Sequence, residues 1–111
     1  MSKKITEQDI IDSVASACQY ISFYHPEDFV KGMVEAYEAE KSEAAKNAIG
    51  QILINSKMCA LGHRPLCQDT GSINIFVKVG LKANLELTKE LVDVLNEGVA
   101  KGYTDPDNTL R

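Results

Sequence analysis

The spacing of apolar residues along the first quarter of the chain predicts an amphipathic helix. Thr6 is placed as its N-cap, because Ile5 and Ile10 occupy the two positions of a hydrophobic staple. Apolar residues then recur at helical intervals, and we expect the helix to end near Ser22. The stripe expected to face the core comprises Ile10, Val14, Ala17, Cys18 and Ile21.

The same periodicity predicts three further helices. The second begins at Pro26, since proline is tolerated in a first helical turn. The third begins at Ser42 and ends at Gly62, a residue suited to the left-handed backbone that follows many helices. The fourth runs from about Thr88 to Lys101 and is closed by a glycine. Its expected apolar face comprises Leu91, Val92, Leu95 and Val99.

A change of period between the third and fourth helices predicts a strand. From Ile73 to Val79, apolar residues occupy every second position, which is typical of a strand. We therefore interpret residues 1–62 as helical, 63–80 as a loop and strand, and 81–111 as a helix and tail. The backbone of a single strand needs hydrogen-bond partners. We expect a helix-rich α+β fold of four helices and one main strand, forming part of a larger N-terminal domain.

Charge and composition exclude several classes of function. The net charge is −4, whereas a protein that binds nucleic acid needs a basic face. No apolar run approaches the length of a membrane span, and the first residues do not resemble a signal peptide. We therefore expect a cytoplasmic protein. The orphan strand and exposed apolar helix faces favour a homo-oligomer.

The cysteine count changes this picture only slightly. The three cysteines are an odd number, and we expect a cytoplasmic protein, so a disulfide framework is not favoured. Cys18 and Cys59 lie on apolar helical stripes, and we interpret both as core residues. Cys67 lies instead in the predicted loop, where a thiolate is a suitable soft ligand for iron–sulfur iron. A single cysteine is weak evidence, so its spacing leaves both a metal ligand and a structural thiol open.

Reactive side chains concentrate in the segment around Cys67. Residues 64–71 read Arg-Pro-Leu-Cys-Gln-Asp-Thr-Gly, so a thiol, an amide, a carboxylate and a hydroxyl follow one another. Loops held between rigid elements often carry functional groups. On the residues alone, Asp69 also fits an ordinary turn carboxylate, and Arg111 an ordinary chain end.

Two stretches of the chain resemble a known enzyme family. The string RPLCQDTG, followed by SINIFVKVG, is similar to the pattern of class I fumarate hydratases and of the α subunits of L-tartrate dehydratase. The string NEGV at residues 96–99, followed by Gly-Tyr and then DPDNTLR at 105–111, is similar to one-chain class I fumarases. The resemblance covers roughly the second half of the chain.

The resemblance implies a cofactor and a set of site residues. Enzymes of this family hold a [4Fe-4S] cluster by three cysteines, and Cys67 matches the first of these ligands. Gln68 and Asp69 match the residues that contact the substrate, and Asp69 is also implied as a catalytic residue that handles protons. Arg111 matches an arginine that binds a substrate carboxylate, for which a guanidinium fork is well shaped.

The implied function is reversible hydration of fumarate to L-malate, a tricarboxylic acid cycle reaction, by the parent enzyme. Two alternatives stay open: a tartrate dehydratase α subunit, and a non-catalytic helical interaction module in which CQDTG is a structural turn. Neither Cys18 nor Cys59 matches the family's other two cluster ligands. We therefore expect this chain alone to hold no cluster and to be inactive.

Overall fold

A computed structural model describes residues 3–67 and 72–108 of the chain. Its elements, in chain order, are β1 (Lys4–Thr6), α1 (Glu7–Phe23), α2 (Glu27–Ala39), α3 (Glu43–Gly62), β2 (Asn84–Glu86) and α4 (Leu91–Thr104). The predicted helix-rich α+β class is confirmed. Within the described ranges, no helix is both long enough and apolar enough to cross a membrane. The described residues form two compact units, one of residues 3–19 and 72–108 and the other of residues 20–67.

Side-chain caps explain where the first and third helices begin. The Asp9 N–H donates to Thr6 Oγ1 at 3.1 Å, and the Thr6 N–H donates in return to Asp9 Oδ2 at 2.9 Å. This reciprocal capping box confirms Thr6 as the cap of α1. Ser42 Oγ accepts from the Ala45 N–H at the start of α3. Pro26 is the N-cap of α2, so that helix begins one residue later than predicted.

The predicted start of the fourth helix at Thr88 is wrong, because Thr88 is engaged elsewhere. Its backbone N–H and its Oγ1 both donate to Glu7 Oε1 at 3.0 Å. These bonds lower the pKa of Glu7, chiefly through the backbone N–H of Thr88. The helix α4 begins only at Leu91, three residues later.

Helices α1 and α4 meet through small residues in the first unit. A Cβ atom added at Gly98 would lie 2.7 Å from Val14 Cβ, and one added at Gly102 would lie 3.0 Å from Ala15 O. Val94 is fully buried one turn before Gly98. The three residues follow at intervals of four, which places them on one face of α4.

The predicted apolar face of α1 is confirmed at Cys18, which is buried, and at Val14, which lies against Gly98. None of the four residues predicted for the apolar face of α4 is buried. The buried residues of α1 are Ile11, Ala15, Cys18 and Phe23, and those of α4 are Val94, Gly98 and Gly102. Apolar periodicity missed the true face of α4 because glycine carries no hydrophobic signal. It also placed Gly102 at the end of the helix, whereas α4 continues to Thr104.

The predicted strand from Ile73 to Val79 is also wrong. Residues 72–80 have no regular secondary structure, and every one of them is exposed, with Phe76 at 95%. The described strands are β1 and β2, which pair in parallel with Ile5 opposite Leu85. Alternation specifies which side chains share a face, but a strand forms only where a neighbouring backbone supplies hydrogen bonds.

In the second unit, α2 and α3 pack against each other. The ring of Tyr37 lies against Gly50, and Lys46 Nζ lies 4.7 Å from the centre of that ring. The helix α3 includes Gly62, and the left-handed residue that follows it is His63, with φ of 51°. The prediction for Gly62 was therefore wrong by one residue.

Replacement of Gly98 by alanine tests the packing of α1 against α4. We expect Gly98→Ala to lower the free energy of unfolding by about 1–3 kcal/mol, because Val14 Cβ is attached directly to a helix backbone and cannot rotate away. The control is Gly32→Ala in α2, where a new Cβ meets no atom within 4 Å. It should raise stability by about 0.5–1 kcal/mol. Urea unfolding measures both, and equal stabilisation by the two substitutions would contradict the packing.

Acid titration tests the contact between Glu7 and Thr88. The folded pKa of Glu7 lies below its ordinary value, so its contribution to stability is present above that value and is lost as the pH falls through the folded pKa. We expect Glu7→Gln to lose less stability than the wild type between about pH 5 and pH 3. Urea midpoints across this range measure the difference. Glu38→Gln on α2 is the control, and identical pH profiles for Glu7→Gln and wild type would exclude the contact.

Candidate functional site

The site is built on the segment that leads from α3 to Cys67, here called the Cys67 loop (residues 63–67). His63 turns the chain out of the helix in the left-handed conformation. Its ring stacks on Phe23 with centres 5.2 Å apart, and its Nε2 lies 2.9 Å from the Tyr24 hydroxyl. These ring contacts compensate for a backbone conformation that residues other than glycine rarely adopt. The Arg64 N–H then donates to the Cys59 carbonyl at 3.2 Å, which satisfies one of the last acceptors of α3.

Hydrogen bonds hold Leu66 on both sides. Its N–H donates to the Ser22 carbonyl at 2.8 Å, and its carbonyl accepts from Asn55 Nδ2 at 3.1 Å. The Leu66 carbonyl belongs to the peptide group that joins Leu66 to Cys67. The backbone that carries Cys67 is therefore tied directly to a side chain of α3.

Cys59 adds a weaker contact to the same loop. Its Sγ lies 3.5 Å from both the Pro65 carbonyl and Asn55 Oδ1. Asn55 and Cys59 are four residues apart, so both lie on the face of α3 that the loop covers. Sequence reasoning assigned Cys59 to the core and gave Asn55 no role. Their spacing just before the loop was the signal that could have linked them to it.

Cys67 is exposed. It lines a shallow groove with His25, Gln51 and Asn55, which present an imidazole and two amides, and with Ala48, Ile52 and Leu66. His25 Nδ1 lies 3.0 Å from Ser56 Oγ, so one side of its ring is engaged within this unit. An exposed thiol beside polar groups is better placed to bind a metal ion than a thiol buried in the core.

Cys18 and Cys59 are buried, as predicted, with exposures of 4% and 5%. Burial raises the pKa of the Cys18 thiol. Within residues 3–67 and 72–108, no group of three or more His, Cys, Asp or Glu side chains is placed to hold a metal ion.

Three predicted site residues, Gln68, Asp69 and Arg111, lie outside the described residues. Their roles stay predictions. A turn at residues 105–108 is described: the Asn108 backbone N–H donates to the Asp105 carbonyl at 3.0 Å. The Asn108 amide also donates to the Gly102 carbonyl at 2.9 Å, so this side chain closes the end of α4.

Comparison with known proteins identifies the family. Residues 11–111 match the family described as fumarate hydratase (Fumerase). The chain belongs to this family. The match covers nearly the whole chain, including most of α1 and all of α2 and α3, whereas the motifs recognised in the sequence lie mainly in its second half.

Two relatives have names that point to tartrate. A protein of Methanocaldococcus jannaschii, provisionally named L(+)-tartrate dehydratase subunit alpha, is 36% identical over 92 residues, which are 83% of this chain and 32% of that protein. The L(+)-tartrate dehydratase subunit alpha of Escherichia coli K12 is 32% identical over 98 residues, which are 88% of this chain and 32% of that protein. The chain therefore spans about a third of the length of these relatives.

The three thiols differ in exposure, and their reactivity should follow. We expect iodoacetamide to modify Cys67 rapidly in the folded chain, and to modify Cys18 and Cys59 only after unfolding, because burial excludes the reagent and disfavours the thiolate of Cys18. Mass spectrometry of timed digests measures this order. Cys67→Ser is the control and should remove the fast phase. Modification of Cys18 as fast as Cys67 in the folded chain would contradict the described burial.

Proposed function

We propose that this chain is part of an iron–sulfur hydro-lyase that catalyses the reversible hydration of fumarate to L-malate. The observation that carries the proposal is the family match over residues 11–111. Because the chain spans about a third of its relatives' length, the activity is proposed for the longer protein or assembly to which it contributes.

Cys67 is the proposed cluster ligand of this chain. Its exposure and the hydrogen bonds at Leu66 support the assignment, since a ligand must be both accessible and held in place. A bound [4Fe-4S] cluster would supply a Lewis-acidic iron to the substrate. The fit is partial, because one thiolate is too few for such a cluster.

The residues that follow Cys67 are proposed to handle the substrate. Gln68 would bind it through its amide, and Asp69 would bind it and hold the proton that is exchanged at the carbon adjacent to the one that carries the departing hydroxyl. Arg111 would pair with a substrate carboxylate, since a guanidinium donates two parallel hydrogen bonds to such a group. The resemblance of CQDTG and DPDNTLR to the family motifs supports these three roles.

Dehydration of tartrate is the second candidate, and the names of the relatives favour it. Malate and tartrate are both four-carbon 2-hydroxy dicarboxylates, so the same groups can bind either acid and eliminate water. The Escherichia coli relative is named as a subunit, which supports assembly of this chain with a different subunit. The sequence alone favoured a homo-oligomer.

Turnover by the longer protein tests the proposal. The protein should be purified without oxygen, with any separately encoded subunit, and reconstituted with iron and sulfide. We expect fumarate to be converted to L-malate, and Cys67→Ser to abolish the cluster and lower kcat by at least about a thousandfold, because the Lewis acid is lost. Tartrate turnover measured in parallel separates the two candidates.

Cys18→Ala is the matched control, since it removes a buried thiol that is not a proposed ligand. It should keep both cluster and activity. A reconstituted wild type that holds no cluster and converts neither acid would reject the proposal and favour the non-catalytic module. The 111-residue chain alone should contain neither iron nor sulfide in stoichiometric amounts.

A further inference from the structure

We infer that Asn55 is a positioning residue for Cys67: its side-chain amide fixes the peptide group that carries the proposed ligand. This inference rests on the proposed role of Cys67 in holding a cluster. Asn55 Nδ2 donates to the Leu66 carbonyl at 3.1 Å, and that carbonyl belongs to the Leu66–Cys67 peptide group. A bond at this point restricts rotation of the backbone immediately before the thiol.

The two ends of the Asn55 amide have different partners. The nitrogen donates to a carbonyl, which can only accept, while Oδ1 lies 3.5 Å from Cys59 Sγ, whose S–H can donate. The reversed orientation would place an acceptor against the Leu66 carbonyl. The contacts therefore select one orientation of the amide, and they require a side chain that is both donor and acceptor.

The Cys67 loop depends on such contacts because it lies outside any helix or sheet. Its two central hydrogen bonds join Leu66 to Ser22 of α1 and to Asn55 of α3. Replacement of a group that holds a metal ligand in place typically lowers metal affinity by about 10–100-fold. Asn55 acts on Cys67 indirectly, through its hydrogen bond to the Leu66 carbonyl.

Substitution of Asn55 by aspartate tests the contribution of the side-chain N–H donor. Asn55→Asp has nearly the same shape and keeps an oxygen for Cys59, but it cannot donate to the Leu66 carbonyl in its ionised form. Asn55→Ala removes both contacts without adding charge. The matched control is Asn47→Asp, which makes the same chemical change at an exposed position of the same helix.

The first measurement is amide hydrogen exchange of the 111-residue chain. We expect the Leu66 amide to exchange about three to ten times faster in both Asn55 variants, the range that loss of one hydrogen bond gives, and to be unchanged in Asn47→Asp. Amides in the middle of α3 report on global stability. Unchanged exchange at Leu66, or equal acceleration throughout α3, would overturn the inference.

The second measurement is the lifetime of the cluster in the longer protein, followed by its visible absorption in air. We expect Asn55→Asp to lose the cluster at least about tenfold faster than Asn47→Asp. Equal lifetimes would overturn the positioning role while leaving the proposed function intact. A wild-type protein that never holds a cluster would overturn both, so the two failures are distinguishable.

Discussion

The hydrogen bonds to Leu66 are the constraint on which the candidate site depends. The loop that carries Cys67 has no ladder of its own, so its backbone groups must find partners on neighbouring elements. The end of α1 supplies an acceptor through Ser22, and α3 supplies a donor through Asn55. An exposed thiol therefore sits on backbone that is ordered, which combines access for a ligand group with a defined position.

The start of the loop is ordered by a different interaction. His63 adopts the left-handed conformation after α3, and its ring contacts those of Phe23 and Tyr24. Ring contacts at one end and backbone contacts at the other leave little freedom to the five residues of the Cys67 loop. In the first unit, the structure depends instead on close packing of α1 against α4 at Gly98 and Gly102.

Local signals in the sequence predicted the helices well. Caps such as Thr6 and Ser42 act within four residues, so they can be recognised without knowledge of the fold. The buried face of α4 could not be recognised, because it is defined by glycines and by contact with a distant helix. The strand predicted from Ile73 to Val79 failed for a similar reason, since a strand depends on a partner that periodicity does not reveal. The candidate site was predicted from the resemblance of CQDTG to a family motif, whereas Asn55 emerged only from the structure.

The central claim, that Cys67 is a cluster ligand, is tested most directly by its accessibility in the longer protein. Alkylation of Cys67 should be measured by mass spectrometry with the reconstituted cluster present and again after the iron has been removed by a chelator. A ligand thiolate is bonded to iron, so we expect Cys67 to be protected in the first state and modified rapidly in the second. Equal rates of modification in the two states would contradict the account.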